Sequence, residues 1–162
     1  MPTRMNEWRG IRAVAATLLL ALAAMPALAR SAAADSLIIH AGSSAYRFEV
    51  ELATTEDQRE RGLMFRKTMA ANAGMLFVYP SEQPVAFWMK NTLIPLDMLF
   101  IKADGSIAHI AANAVPEDET PIPSAAPVRA VLEINGGTAA ALGIREGDHV
   151  QYSGAAGSLG GN

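Results

Sequence analysis

Apolar and polar residues alternate along residues 45–53, which read AYRFEVELA. The apolar positions are Tyr46, Phe48, Val50 and Leu52, and the polar positions between them are Arg47, Glu49 and Glu51. A period of two residues is typical of a strand with one buried face. Because residues 36–40 (SLIIH) precede it across Gly42-Ser43-Ser44, the pattern predicts two strands joined by a turn.

The alternation ends at residue 53, and residues 54–62 have the pattern of a helix N-terminus. Thr55 and Gln58 have the spacing of a capping box, and Glu56 and Asp57 place negative charge where the helix dipole favours it. Gly62 is suited to end the helix in a left-handed conformation. Residues 63–72 (LMFRKTMAAN) remain open between a second helical turn and an ordered loop.

The remaining apolar runs predict further strands. Their ranges are residues 74–79, 84–89, 96–103, 106–115, 127–134 and 149–152. Asp104-Gly105 is the strongest hairpin signal in the chain, and a two-residue turn there would place Asp97 near Ala112 on the facing strand.

The segments outside these apolar runs predict a loop, a short helix and a tail. Residues 117–127 include three prolines and an acidic cluster, which predict a long loop. Residues 135–142 predict a short helix with Asn135 as its cap and Gly143 just past its end. From residue 153 the chain is rich in Gly, Ser and Ala, which predicts a flexible tail.

These elements predict an α+β, β-rich fold. No strand is followed by a helix long enough for regular βαβ units, so the connections should be mostly antiparallel. We expect a small, partly closed β-barrel or coiled sheet with two short helices. The predicted globular domain spans residues 36–152.

The first residues have the pattern of a cleaved secretory signal. Arg4, Arg9 and Arg12 precede the uncharged apolar run 13–24, and Ala27-Leu28-Ala29 provides an A-x-A cleavage pattern. An uncleaved membrane anchor is the alternative, although this run is shorter than the roughly 20 residues that cross a bilayer. We therefore predict cleavage near Ala29, a disordered leader at residues 30–35, and a periplasmic or secreted protein.

Composition excludes several classes of function. The chain has no cysteine, which rules out disulfides, thiolate metal ligands and a cysteine nucleophile. Removing residues 1–29 takes away three arginines and Glu7, so 10 basic and 15 acidic residues would remain. That balance argues against nucleic acid as a partner, because phosphate binding needs clustered Lys and Arg.

The most informative polar residues interrupt an apolar run at residues 84–101. They are Lys90, Asn91, Thr92 and Asp97, within the sequence WMKNTLIPLD. One interpretation is a solvated corner in which Asp97 pairs with Lys90 or caps the turn. The other is a pocket lined by Trp88, Met89 and Phe100, into which Lys90 and Asp97 point, because buried charges need partners or a ligand.

A second polar group lies in the predicted strand 127–134. Arg129, Val131 and Glu133 share one face by alternation, which is either a solvated face or part of a site. Glu133 also stands just before the Asn-Gly-Gly helix start, whose free N–H groups would favour an anion. Arg61 is either a solvated helix residue or a ligand for a carboxylate or phosphate in the same pocket.

Other kinds of chemistry have little support. Five methionines of residues 64–98 could suit Cu(I), but their irregular spacing among apolar residues is typical of core packing. The three histidines are isolated, and the chain has no G-x-S-x-G, P-loop or G-x-G-x-x-G motif. We predict no metal and no cofactor.

Several longer motifs resemble the family known as domain of unknown function 192. They are RGLMFR (61–66), GMLF (74–77), FWMKNT (87–92), IPLD (94–97), VLE (131–133), Gly136-Gly137 and Gly143-Ile144. The resemblance runs from about Ser36 to Tyr152. It implies a compact, single-domain, β-rich protein, often exported or membrane-anchored, whose biochemical role is not established. The positions that it singles out are Arg61, Gly62, Met64, Trp88, Met89, Lys90, Asn91, Thr92, Pro95, Asp97 and Glu133.

Three hypotheses of function follow. The first is a module that binds a small polar or anionic ligand, with candidate residues Arg61, Trp88, Met89, Lys90, Asn91, Thr92, Asp97, Arg129 and Glu133. The second is a hydrolase or lyase with Asp97 or Glu133 as general base. The third is a structural or interaction protein whose polar motif only fixes a corner of the chain.

Overall fold

A computed structural model describes residues 35–160. The predicted signal segment and residues 30–34 of the predicted leader lie outside the described residues. The strands are β1 (Asp35–Ala41), β2 (Ser44–Ala53), β3 (Ala73–Gln83), β4 (Ala86–Phe87), β5 (Leu96–Ile101), β6 (Ile107–Ala114), β7 (Ile122–Pro123), β8 (Val128–Asn135), β9 (His149–Gly154) and β10 (Gly157–Leu159). The helices are α1 (Glu56–Arg61) and α2 (Thr138–Leu142).

Eight strands form one sheet in the order β10-β9-β1-β2-β3-β8-β5-β6, and β4 pairs only with β7. All pairs are antiparallel except β2 with β3, which run parallel. The sheet curls into a half-barrel, because a bridge between Ser106 and His149 brings the start of β6 against β9. This confirms the β-rich, α+β, partly closed fold. Among residues 35–160, no helix is long and apolar enough to cross a membrane.

The curved sheet is buried on both faces. Along β8, Ala130, Leu132 and Ile134 belong to one buried cluster, whereas Val131 belongs to another. Alternate residues of β3 and β5 divide in the same way, as expected when successive side chains point to opposite faces. The second cluster lies under β4, β7 and the β2–β3 connection, and this is the side on which the candidate site forms.

The connection between β2 and β3 crosses over this second face. Helix α1 begins with the predicted capping box, in which the Thr55 side chain accepts from Gln58 N and the Gln58 side chain accepts from Thr55 N. Gly62 ends the helix with φ of 44°, and no second helical turn follows. None of the residues of α1 is buried. The crossover is therefore an ordered loop with one short helix rather than a regular βαβ helix.

The β5–β6 hairpin keeps the predicted pairing in its centre. Met98 lies opposite Ala111 and Leu99 opposite Ile110, which is the register of a two-residue Asp104-Gly105 turn. The turn itself is longer, because Lys102 N donates to Ser106 O. A second irregularity between Leu96 and Met98 lets the Asp97 carboxylate reach the chain near Asn113.

Several element predictions are wrong. The predicted strand 84–89 shrinks to β4, which pairs with Ile122–Pro123 from the segment predicted as a loop. Asn135 does not cap α2. Its side-chain amide donates to Ala70 O in the crossover, and Gly137 occupies the cap position with φ of 82°. These pairings join segments far apart in the chain, which local patterns do not show.

The predicted flexible tail is a further error. Residues 157–159 form β10 on β9, and the Leu159 side chain is buried. Asp35, predicted to be disordered, begins β1 and accepts hydrogen bonds from Tyr152 OH at 2.7 Å and from Ala155 N at 3.3 Å. The Asp35 carboxylate thus connects β1 to the β9–β10 turn by hydrogen bonds.

Candidate functional site

A cavity of about 580 Å³ opens between the crossover and the second face of the sheet. Its size is in the range of small-molecule sites. Helix α1 and the following turn form one wall, residues 86–92 form the other, and β3 and β8 form the floor. The lining residues are Glu56, Arg59, Glu60, Arg61, Gly62, Leu63, Met64, Phe77, Tyr79, Ala86, Phe87, Trp88, Lys90, Thr92 and Glu133.

Glu133 is the buried acid of this cavity. Its side chain projects from β8 between Met75 of β3 and Met98 of β5, which are its cross-strand neighbours. Only 4% of the residue is exposed, and no described residue donates a hydrogen bond to its carboxyl group. Burial raises the pKa of the Glu133 carboxyl to about 8. At neutral pH this acid is therefore mostly protonated.

Two glycines allow this floor and wall to form. A side chain at Gly74 would place its Cβ 2.6 Å from the backbone oxygen of Glu133, so only glycine lets β3 lie this close to β8. At Gly62 the positive φ and a Cβ position 3.3 Å from Phe77 Cζ combine to favour glycine. Both glycines therefore set the position of backbone around the cavity.

Arg61 and Lys90 lie at the cavity without a carboxylate partner among residues 35–160. Arg61 is exposed, and Lys90 is half-buried with its Nζ 5.0 Å from the centre of the Trp88 ring. Neither takes part in an ion pair with a described acid. Trp88 remains 46% exposed, so it presents an open aromatic surface beside the lysine.

Arg59 is a third cation of the cavity lining, and one of its nitrogens, Nη1, attaches α1 to the sheet. Its Nη1 donates to Thr54 O at 2.6 Å and to Val78 O at 3.2 Å, and its guanidinium lies 5.1 Å from the centre of the Tyr79 ring. Burial raises the pKa of the Tyr79 hydroxyl, while the charge of Arg59 opposes that rise. We assign Arg59 mainly to the support of the cavity wall.

Residues 89–92 form a tight corner tied to two neighbouring loops. Met89 N donates to Asp118 O, Thr92 N donates to Met89 O, and the Thr92 hydroxyl donates to Lys90 O. Asn91 has φ of 54°, and its backbone oxygen accepts from Phe65 N at 2.8 Å. The corner thus fixes the backbone that carries Trp88 and Lys90.

Asp97 is not at the cavity. It is fully buried, and its carboxylate accepts hydrogen bonds from Asn113 N at 2.8 Å, Gly137 N at 2.9 Å and Ala139 N at 2.8 Å. The N–H groups at the start of α2, which we expected to attract an anion near Glu133, are therefore bound by Asp97. The expectation that Asp97 and Lys90 point into one pocket is wrong.

The structure brings together Arg61, Trp88, Lys90, Thr92 and Glu133 at the cavity, but not the other candidates. Met89 is a core residue with 1% exposure, and Asn91 supports the corner. Arg129 is half-buried outside the cavity lining, with a buried Nη1 that has no hydrogen-bond partner among residues 35–160. Phe100, predicted to line the pocket, lies in the core.

Sequence reasoning missed the rest of the lining. Glu56, Glu60 and Tyr79 reach the cavity only because the crossover folds back over β3. One signal was available, since Glu56 and Glu60 lie four residues apart and so share a face of α1 with Arg59 near them. No sequence pattern, however, indicated which element that face would cover.

The arrangement combines three chemical features. Exposed and half-buried cations lie at the cavity, a largely neutral acid lies at its floor, and Phe77, Phe87 and Met64 add apolar surface. Among residues 35–160, no cluster of His, Cys, Asp and Glu could hold a metal ion. The described groups are therefore suited to hydrogen bonding, charge pairing and proton transfer.

The chain was compared with protein families and with known structures. The family model DUF192, described as "Uncharacterized ACR", matches residues 37–152, and the chain belongs to this family. The resemblance drawn from the motifs is thus confirmed. No curated protein matches the chain.

Solved structures similar to this chain include the following two. One is the crystal structure of a "putative transcription regulator" from Sinorhizobium meliloti 1021, which is 46% identical, covers 73% of this chain and 92% of its own, and has a TM-score of 0.72. The other is a protein of unknown function from Novosphingobium aromaticivorans DSM 12444, which is 47% identical, covers 72% of this chain and 84% of its own, and has a TM-score of 0.71.

Proposed function

We propose that this protein is an exported binding domain that takes up a small anionic molecule in the cavity between α1 and β8. The observation that carries the proposal is the pair of cations, Arg61 and Lys90, which have no carboxylate partner among the described residues although Glu56, Glu60 and Glu133 line the same cavity. A ligand anion would provide the partner.

The surroundings of the two cations favour an anion of modest size. Lys90 is half-buried against Trp88, where its charge is less screened than in bulk water, so pairing with an anion gains more there than on an open surface. Arg61 can donate two parallel hydrogen bonds to a carboxylate or phosphate. Apolar walls would bind the remainder of the ligand by removing its surface from water.

Glu133 supports a second candidate function, hydrolysis or elimination with this residue as general acid or base. A carboxyl with a pKa near 8 can exchange a proton at neutral pH, which is the property that such a role needs. Asp97 is no longer a candidate base, because its three backbone hydrogen bonds hold it away from the cavity. Turnover of a bound ligand that stops in Glu133→Gln while binding persists would identify an enzyme.

The binding proposal is tested by thermal shift with a panel of small carboxylates and phosphates. A ligand at about 100 times its Kd stabilises the folded state by about 2.7 kcal/mol, which raises the Tm by several degrees for a domain of this size. We expect such a shift for at least one anion with the wild type. Lys90→Ala and Arg61→Ala should each reduce it, because each removes one partner of the anion.

Matched control variants distinguish loss of the ligand site from a change in the net charge of the protein. Lys102→Ala and Arg145→Ala remove exposed cations that do not line the cavity, so they should leave the ligand shift unchanged. The proposal fails if no anion in the panel stabilises the wild type. It also fails if the control variants reduce the shift as much as Lys90→Ala and Arg61→Ala.

A further inference from the structure

The charged groups that line the cavity differ in their exposure. Arg61 is exposed, Lys90 is half-buried, and Glu133 is 4% exposed. Arg61 and Lys90 are therefore nearer to solvent than Glu133, which is the buried acid of a lining that also includes the exposed acids Glu56 and Glu60. Phe77 and Phe87 line the same cavity and pack edge to face with their ring centres 5.0 Å apart, which gives the space an apolar wall.

Glu133 has no partner on any side, although several titratable groups surround the cavity. Its strand neighbours are Met75 and Met98, so β3 and β5 present thioethers to it rather than charges. The titratable and charged groups that line the cavity with it are Glu56, Arg59, Glu60, Arg61, Tyr79 and Lys90. None of these donates a hydrogen bond to the Glu133 carboxyl, and no described cation forms an ion pair with it.

Because no described group donates to the buried Glu133 carboxyl, a ligand that carries its own donor would fit this position. A carboxylate in apolar surroundings is unfavourable when alone, but becomes favourable when an ammonium group reaches it with good geometry. A purely anionic ligand would bring no cation to Glu133. A ligand that carries a cation at its far end would satisfy both ends of the cavity.

We propose that the ligand of this cavity is zwitterionic, with its anionic group between Arg61 and Lys90 and a primary ammonium group at Glu133, joined by an apolar chain against Phe77 and Phe87. This inference rests on the proposed anion-binding function and specifies the chemical class of the ligand. Binding transfers the Glu133 proton to solvent and leaves an ammonium–carboxylate pair. The Glu133 end of the occupied site is then neutral, and the ligand anion is paired with two cations.

The test uses ω-amino carboxylates of increasing length, from glycine to 6-aminohexanoate, with two matched sets of controls. Alkanoates of the same chain lengths lack the ammonium group, and alkylamines lack the carboxylate. Binding is measured by titration calorimetry on the wild type and on Glu133→Gln. Measurements at pH 6.5 in two buffers of different ionisation enthalpy report the number of protons released.

For one chain length we expect the amino carboxylate to bind about tenfold or more tightly than the matching alkanoate, which is the size of one charge-assisted hydrogen bond. The best-binding amino carboxylate should release close to one proton, and the alkanoate none. In Glu133→Gln the two ligands should bind within about twofold of each other, because the amide forms no ion pair.

Other outcomes separate the two proposals. If the alkanoates bind as tightly as the amino carboxylates, the zwitterion inference is wrong and the anion site stands. If the alkylamines bind as tightly as the amino carboxylates, the anion site is wrong. Absence of binding by all three sets, together with a negative anion panel, overturns both.

Discussion

Glu133 and Asp97 are both buried acids, yet they differ in their hydrogen-bond partners. Asp97 accepts three backbone N–H groups, whereas no described group donates to Glu133. Burial without hydrogen-bond donors favours the neutral form of an acid, and this raises the pKa of Glu133. The sequence marks both as acids in apolar segments, but which one meets donors depends on segments that are distant in the chain.

The raised pKa of Glu133 predicts a specific dependence of stability on pH. The unfolded state loses this proton near pH 4.5, and the folded state keeps it until about pH 8. The contribution to stability is therefore complete below pH 4.5 and is lost as pH rises towards 8, by on the order of 1 kcal/mol per pH unit. Glu133→Gln has no such proton, so its unfolding free energy relative to the wild type should rise by a few kcal/mol between pH 5 and pH 8.

Urea unfolding of both proteins at pH 5, 6.5 and 8 measures this difference. Glu119→Gln is the matched control, because its exposed side chain lies outside the cavity and its free energy of unfolding should follow the wild type at each pH. A constant difference between Glu133→Gln and the wild type across this range would show that Glu133 ionises normally in the folded protein.

At the scale of elements, short sequence motifs predicted local structure correctly, but the sequence did not show which distant strands would pair. The Thr55 and Gln58 capping box and the centre of the β5–β6 hairpin depend on residues a few positions apart, and both form as expected. Strand β10 and the β4–β7 pair depend on partners elsewhere in the chain, so composition alone predicted a tail and a loop. The same limit applies to the candidate site, because the crossover supplies half of the cavity.

Asp97 joins three elements, so its substitution is expected to cost much stability. It extends from β5 to the start of α2 and to Asn113 of β6. Asp97→Ala would leave three backbone N–H groups without their acceptor, and we expect a loss of at least about 3 kcal/mol in urea unfolding. Asp97→Asn keeps one acceptor oxygen and should lose less.

The control for this prediction is Asp148→Ala, which removes the acceptor of only one backbone group, Arg145 N, and should cost about 1 kcal/mol. Ligand binding provides an independent check. Because Asp97 lies outside the cavity, folded Asp97→Asn should give the same ligand-induced thermal shift as the wild type. If Asp97→Asn folds normally but shows no ligand-induced thermal shift, Asp97 takes part in ligand binding.

At the scale of the molecule, the two faces of the curled sheet are covered in different ways. The concave face closes on itself through the contact of β6 with β9 and is filled by apolar side chains. The outer face of β3, β8 and β5 is covered instead by the crossover and by short irregular segments, which leave the cavity. A half-closed sheet therefore supplies a rigid floor under a wall made of loops.

The last prediction concerns processing of the whole chain on export. The A-x-A pattern predicts cleavage after Ala29, and the described domain needs Asp35, whose carboxylate accepts from Tyr152 OH and Ala155 N. Expression of the full chain in a bacterial host should therefore give a periplasmic protein whose intact mass corresponds to a first residue at or near Arg30, with Asp35 retained. Ala29→Lys should block cleavage, since this position requires a small side chain, whereas Leu28→Val at the tolerant middle position should be processed normally. Recovery of the wild type with residues 1–29 attached, or with an N-terminus beyond Asp35, would contradict the prediction.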